Sequence, residues 1–389
     1  MQDQRLLDTF FDLVKTNSPS RMEAGVAVYC EAALRELGFT VIRDGSNIET
    51  GSETGNVIAW RKGELPGAYA FSAHMDCVMP CINVQPQCEQ TPEGEVIRSA
   101  GNTVLGSDDK AGVAAILEAL RSLCEGEGPL PTLVALFTTC EEIGCKGAKN
   151  LDVSQLRAFL ENEVDMAQDE LLPCLVLDSD GAPGTIVTGS PYHYVFEARI
   201  TGRAAHAGVN PEQGVSAIAV AADALSRIQW GRLGETTTAN VGFIEGGQAV
   251  NVVPEQCTVK GECRSIYQDR AKALRDNISK AFIGSAHLLG AKLDMDWDCE
   301  YPGIVYQPGD ELLNQVEEAA EAIGAPVSHM VSGGGSDANV LSTKGMKPVA
   351  VGVGMTNFHA TNEYILVKDL QDSARFVEAF VRIAAAKAQ

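Results

Sequence analysis

Residues 68–76, AYAFSAHMD, open as a largely apolar run and close on a histidine and an aspartate. A run without polar alternation suits a strand buried on both faces, as parallel sheets require. Ala68 to Ala73 therefore predicts such a strand, with His74 projecting from its C-terminal edge and Asp76 placed to hold the imidazole in one tautomer. The same punctuation recurs along the chain. The strand-like run Thr132 to Thr139 delivers Glu141 and Glu142, and adjacent residues at a strand end diverge. Cys174 to Leu177 delivers Asp178, and Pro348 to Val353 delivers His359 after a few loop residues. Asp108 and Asp109 in GSDDKAG lie between a Gly-rich loop and the apolar-periodic stretch Ala111 to Leu123, at a predicted helix N-terminus. One of the pair can face a ligand while the other caps the helix. Ligand-type residues thus gather beyond the C-terminal ends of predicted parallel strands, where open α/β sheets place their sites.

Two histidines and several carboxylates suit a pair of zinc-like ions that activate one water. Each segment alone has a plainer reading. A single aspartate at a strand end is usually a cap or turn residue, and Asp180 competes with Asp178 for the role. An EE pair is most often a solvated helix start, and a lone histidine such as His74 is often a satisfied core residue. Five segments that supply complementary ligands outweigh these readings together. Cys77, Cys81 and Cys88 lack a fourth ligand at zinc-knuckle spacing, and GGGSD at 333–337 lacks the lysine of a phosphate loop.

The 389 residues exceed what one core usually holds, and 45% hydrophobic residues can fill two. Residues 1–188 alternate helices (Arg5 to Lys15, Arg21 to Leu37, Ala111 to Leu123) with apolar strands. From Tyr192 the pattern becomes strand (Tyr194 to Thr201), helix (Pro211 to Ile228), strand (Thr237 to Ile244), strand (Gln256 to Ile266), helix (Asp269 to Leu289) and strand (Lys292 to Glu300). That is the ferredoxin-like order βαββαβ. Helices then return at Asp310 to Ile323 and Val367 to Lys387. Because His359 belongs with the N-terminal ligands, residues 1–188 and 304–389 are expected to form one discontinuous α/β catalytic domain with a mostly parallel central sheet. Residues 189–303 form an inserted α+β domain. A net charge of −22 argues against nucleic acid or an anionic membrane as partner. Eleven cysteines without a compact framework fit a reducing cytoplasm. The N-terminal stretch reads as an amphipathic helix rather than a signal peptide, and no apolar run approaches spanning length.

The ordered set HMD, GSDDKAG, EEIG, LDSDG, GRAAHAG and HATNE resembles the M20 family of dinuclear metallopeptidases, and within it the peptidase T-like, tripeptide aminopeptidase-like branch, over almost the whole chain. The resemblance implies a zinc-peptidase-like catalytic domain with an inserted lid and dimerisation domain, and a homodimer. It implies that His74, Asp108 and Asp178 hold one divalent ion and that Asp108, Glu142 and His359 hold the other, with Asp108 bridging. Zinc is the expected metal, with Co2+ or Mn2+ as alternatives. Glu141 looks like the general base and Asp76 like the residue orienting His74. His206 would reach the partner subunit's site to stabilise the oxyanion, and Asn240 and Arg264 would hold the substrate. Arg264 equally suits a structural ion pair. The stretch VSGGGSDAN, residues 331–339, resembles a pocket-lining loop. Cys77 and Cys140 depart from the family pattern and place thiols beside the expected ligands, where soft metals or oxidants could reach them. The expected substrate is a short peptide. A deacylase or carboxypeptidase acting on N-acyl amino acids would use the same centre, and a non-catalytic metal-dependent binding protein would be expected to have lost Glu141 or a ligand.

Overall fold

A computed structural model describes all residues, Met1–Gln389, and the chain divides into two compact units. The first comprises Met1–Thr188, Tyr306–Met330 and Ser336–Gln389, and the second comprises Gly189–Val305 with Val331–Gly335.

The first unit is built on a central sheet whose apolar strands form for the reason the sequence suggests. Strand Thr132–Thr138, TLVALFT, is buried at every residue, and strand Ala68–His74 is buried at all but one. Side chains with no polar partner are stable only with both sheet faces covered. Thr132–Thr138, Ala68–His74, Leu172–Ser179 and Met346–Gly352 are successive parallel neighbours. Antiparallel strands extend the sheet through Val57–Arg61 and Thr40–Arg43 at one edge and Thr185–Ser190 at the other. Parallel register sets His74 opposite Thr138, so the residues just beyond these two strands emerge side by side.

Helix Ser107–Glu125 is buried along almost its whole length, from Ser107 to Leu123. Its small residues let it lie close to the sheet. A Cβ added at Gly112 would stand 2.4 Å from the Leu177 carbonyl. The buried Glu118 on this helix is answered by Arg5, whose Nε lies 2.7 Å from Oε2. Helices Asp3–Lys15 and Val367–Ala388 pack against it, and Phe380 of the last meets Tyr69 and Phe71 edge-on at 5.4 and 6.2 Å between ring centroids. A separate small sheet pairs Met355–Thr356 with Tyr364–Leu366, Gly94–Ser99 and Pro86–Thr91 in that order. It makes the stretch around His359 a hairpin loop rather than a tail after a strand. No helix is long and apolar enough to cross a membrane.

The second unit is a five-stranded antiparallel sheet in the order Gly231–Gly234, Thr237–Gly246, Gln256–Ser265, Tyr192–Thr201, Lys292–Tyr301. Helices Ala217–Ser226 and Gln268–Leu289 pack against each other and against this sheet around Phe196, Val259, Ile278 and Phe282. The βαββαβ order is present with one added edge strand, Gly231–Gly234. The stretch expected as one helix from Pro211 to Ile228 is broken. A single 3-10 turn at Pro211–Gln213 ends at Gly214, which is extended, and the helix proper begins at Ala217, capped by Ser216 Oγ accepting from Ala219 N. Val253 lies so close to Gly214 that a Cβ would meet it at 2.8 Å, so only glycine fits at the break.

Across this sheet Glu262 accepts from His193 Nε2 at 2.6 Å and from Arg264 Nη2 at 2.8 Å. His193 first, and Arg264 with it, hold the Glu262 carboxyl down to about 2 from the usual 4.5, against the opposing effect of half-burial. A carboxyl depressed in the folded state adds stability that is present above its unfolded value and lost as pH falls through the folded one. Glu262→Gln should therefore melt below the wild type at neutral pH. Thermal unfolding at stepped pH should show that gap close between pH 4.5 and about 2.

Candidate metal centre

The ends of the parallel strands, the N-terminus of helix Ser107–Glu125 and the hairpin loop converge on two groups of ligand atoms. His74, Asp108 and Asp178 form one, Asp108, Glu142 and His359 the other, and within each group the ligand atoms lie within 4.8 Å of one another. Asp108 belongs to both. Its Oδ1 is 3.0 Å from His74 Nε2, and its Oδ2 is 3.1 Å from His359 Nε2. His74 Nε2 also lies 3.8 Å from Asp178 Oδ1, and His359 Nε2 lies 2.8 Å from Glu142 Oε2. His359 reaches this position with a left-handed φ of 63° at the hairpin tip.

The two aspartates at the helix start divide their work. Asp108 turns its side chain to the histidines, and the peptide joining it to Asp109 is cis. Asp109 accepts from Gly112 N at 3.2 Å, as a cap does, and its other oxygen accepts from His74 N at 3.1 Å. Asp76 does more than orient one ring. His74 Nδ1 is 3.0 Å from its main-chain oxygen and 3.4 Å from its Oδ1, while the same carboxylate accepts from Glu141 N at 2.9 Å, Glu142 N at 3.2 Å and Ser20 Oγ at 2.7 Å. Sequence reasoning missed Glu363. This buried carboxylate accepts from Gly106 N at 2.8 Å, Ser107 Oγ at 2.5 Å and Asp108 N at 3.2 Å, and so fixes the backbone that carries Asp108. Its only sequence signal is an acidic residue four positions after His359.

The electrostatics of the cluster fit a pair of cations. Burial pushes the His74 imidazolium toward losing its proton, but Asp108 and Asp76 outweigh burial and leave its pKa well above the ordinary value. Asp108 and Glu142 raise His359 to about 10. Burial works against the Asp108 carboxylate too, yet the two histidines hold it below the usual range. Burial raises Asp178 and Glu142, and Glu142 Oε1 is buried without a hydrogen-bond partner. Imidazole nitrogens and carboxylate oxygens arranged about one shared carboxylate are the donors borderline divalent ions take. Glu141 stands beside them. Burial pushes its carboxyl up to about 8, against the pull of His74 and with help from Asp337 and Glu142.

The remaining candidates lie in the second unit. His206 is on an exposed loop bridged to Val252, and its Nδ1 accepts from Gly208 N at 3.1 Å. Asn240 faces out of strand Thr237–Gly246 into an open concavity of about 520 Å³ that Arg199, Lys260 and Asp296 also line. Arg264 is bound to Glu262, and its Nη1 donates to Tyr301 Oη and to the Gly333 carbonyl at 3.3 and 3.4 Å. The thiols expected beside the ligands point elsewhere. Cys140 Sγ donates to Glu23 at 3.4 Å, and Cys77 packs with Cys81 and Val104. The thiol that meets this cluster is Cys145, 3.3 Å from Glu141 Oε1.

Over residues 70–383 the sequence matches peptidase family M20/M25/M40, and the chain belongs to that family. YqjE, an uncharacterized protein of Bacillus subtilis strain 168, is 35% identical over 386 residues, covering 99% of this chain and 100% of its own. Among solved structures, the aminopeptidase PepT of Bacillus cereus ATCC 10987 superposes with a TM-score of 0.89 at 35% identity, covering 99% of both chains. A tripeptidase of Staphylococcus aureus superposes with a TM-score of 0.88 at 33% identity, also over 99% of both. The enzyme class is metallopeptidase.

A shared carboxylate has a measurable consequence. Asp108→Ala should remove both ions together, whereas Glu142→Ala should weaken mainly one. Elemental analysis of the purified variants reads this directly, and two tightly bound ions per chain in Asp108→Ala would reject the sharing.

Proposed function

We propose that this chain is a two-metal aminopeptidase that releases the N-terminal residue of short peptides, tripeptides foremost. The carrying observation is the pair of ligand groups joined through Asp108 with Glu141 alongside. The similarity to the two solved peptidases over nearly the full chain supports the peptide as substrate. His74 and Asp178 would hold one ion, Glu142 and His359 the other, and Asp108 both. Zinc suits this nitrogen and oxygen donor set, and Co2+ and Mn2+ suit it nearly as well. When bound, the ions supply Lewis acidity to water and to the scissile carbonyl.

The chain's own residues do the rest. Glu141 takes a proton from the attacking water on its carboxylate and returns it to the leaving amine. Asp76 holds the backbone of Glu141 and Glu142 so that the base and its neighbouring ligand diverge. His206, whose Nδ1 accepts from Gly208 N, is left with Nε2 as its donor, the atom that would meet an oxyanion. We assign that donation to the partner subunit's site in a homodimer. Asn240 and Arg264 orient the substrate, Arg264 through Nη1, since Glu262 already takes its Nε and Nη2. Eleven free thiols suit a reducing compartment, the cytoplasm.

A panel of di- and tripeptides with free and N-acetylated amino termini, offered to metal-depleted and zinc-restored protein, tests the substrate. Hydrolysis should require metal and a free amine, and preference for N-acyl amino acids would replace this reading with a deacylase. In the same assay Glu141→Ala should keep its metals and lose about a hundredfold or more in turnover.

Subunit sharing has its own test. Glu141→Ala and His206→Ala homodimers should each be nearly inactive, while coexpression should restore activity. In a heterodimer one site carries both defects and the other neither, so random pairing leaves roughly a quarter of all sites intact. Verified heterodimers no more active than either parent would remove His206 from this role.

A further inference from the structure

Beside the two ligand groups lies a third that neither of them uses. The stretch after strand Thr132–Thr138 doubles back at once. Gly144 N and Cys145 N both donate to the Glu141 carbonyl, at 2.9 and 2.7 Å, while Lys146 N and Gly147 N return to the carbonyls of Cys140 and Thr139 at 3.0 and 2.9 Å. Cys140 and Cys145 bend the chain with left-handed φ values of 55° and 53°. The turn carries the Cys145 thiol back onto the side chain of Glu141, 3.3 Å from Oε1. Asp337 comes from the far side, 2% exposed, and Thr138 Oγ1 donates to its Oδ2. Its other oxygen, Oδ1, is buried with no hydrogen-bond partner. The ligand atoms of Glu141, Cys145 and Asp337 lie within 4.8 Å of one another. A buried carboxylate oxygen without a donor is an uncompensated acceptor that a cation satisfies well.

We propose that Glu141, Cys145 and Asp337 form a third divalent-cation site, selective for thiophilic ions such as Zn2+ and Cd2+, whose occupation withdraws Glu141 from proton transfer and inhibits the enzyme. The inhibitory half of this inference rests on the reading of Glu141 as general base. Binding releases the thiol proton together with any proton that Glu141 carries. The thiol S–H bond breaks, its proton leaves to solvent, and the sulfur pair forms the metal–sulfur bond, with no change of oxidation state. The thiolate sets selectivity, because sulfur favours Zn2+ and Cd2+ over Mg2+ or Mn2+, which the carboxylates alone would admit. None of the three side chains is drawn from the two ligand groups sharing Asp108, so the third ion adds to the resident pair instead of competing with it. Repulsion from that pair makes it the weakest bound, and inhibition appears only in metal excess.

The test tracks metal content, a thiolate signal and turnover on the zinc-loaded enzyme as Cd2+ is raised by dialysis. Wild type should pass from two ions per chain to three. A cadmium–thiolate ultraviolet band should grow with the third equivalent, and turnover should fall about a hundredfold in step, the cost of a silenced general base. Cys145→Ser should stop at two ions, show no band and stay active at the same Cd2+. Asp337→Asn provides a second variant with the thiol intact and should also stop at two. Wild type that saturates at two ions, or a third ion and band that persist in Cys145→Ser, overturns the site. A third ion whose band depends on Cys145 but which leaves turnover unchanged overturns the inhibition and the base assignment together, and leaves the paired ligand groups standing.

Discussion

Four consecutive backbone N–H groups, from Thr139 to Glu142, leave the sheet ladder and are each taken by a buried side-chain oxygen. Thr139 N donates to Asn56 Oδ1 at 3.0 Å, Cys140 N to Glu23 Oε1 at 3.0 Å, Glu141 N to Asp76 Oδ1 at 2.9 Å and Glu142 N to Asp76 Oδ2 at 3.2 Å. A buried amide without an acceptor costs about 1–3 kcal/mol, so this irregular stretch exists only because three polar side chains were placed to receive it. Asp76 is the keystone of the set. It stands two residues beyond one strand and clasps the end of its neighbour, so His74 from the first strand and Glu141 and Glu142 from the second are positioned by one residue.

The centre also shows what the fold must tolerate before any ion arrives. Asp76, Asp108 and Asp109 are each nearly or fully buried within a few residues' reach of one another, in a chain whose net charge is already −22. Hydrogen bonds from backbone and hydroxyl donors hold Asp76, Asp109 and Glu363 as acceptors, while the Nε2 atoms of the two histidines face Asp108, Asp178 and Glu142. Such an arrangement couples metal affinity to folding. Ligands gathered at the cost of mutual repulsion release that repulsion when cations bind, and the ions stabilise the native chain in proportion.

Much of this was legible in the sequence because it depends on local pattern. Apolar runs mark parallel strands, and the residues at or just past a strand's C-terminal end are read off directly: His74, Glu141 with Glu142, and Asp178. The alternation after Tyr192 likewise gives the order of the second unit. Features that depend on distant pairing were not legible. Glu363 meets Gly106 across more than 250 residues, and nothing in HATNE says that its last residue serves the backbone of GSDDKAG. Asp337 sat in a glycine-rich stretch that suggested only a pocket lining. The thiols were misjudged for a geometric reason. Cys77 and Cys140 adjoin Asp76 and Glu141 in sequence, but Cys77 packs with Cys81 and Val104, and the left-handed turn at Cys140 sends its thiol to Glu23. Cys145, four residues on, is returned by the turn.

That turn shows how one constraint produces both chemistry and a liability. Anchoring the N–H groups of Thr139 to Glu142 forces the chain to reverse immediately, because strand geometry has ended and the next helix must begin at Lys146. Gly147 permits the reversal, since a Cβ there would stand 2.0 Å from the Thr139 carbonyl. Any side chain at position 145 is then delivered against Glu141. A small apolar residue would leave Glu141 undisturbed. A cysteine fits the same volume and contributes a soft donor, and with Asp337 behind it the environment that raises the Glu141 carboxyl by burial also supplies the ligands that could capture it.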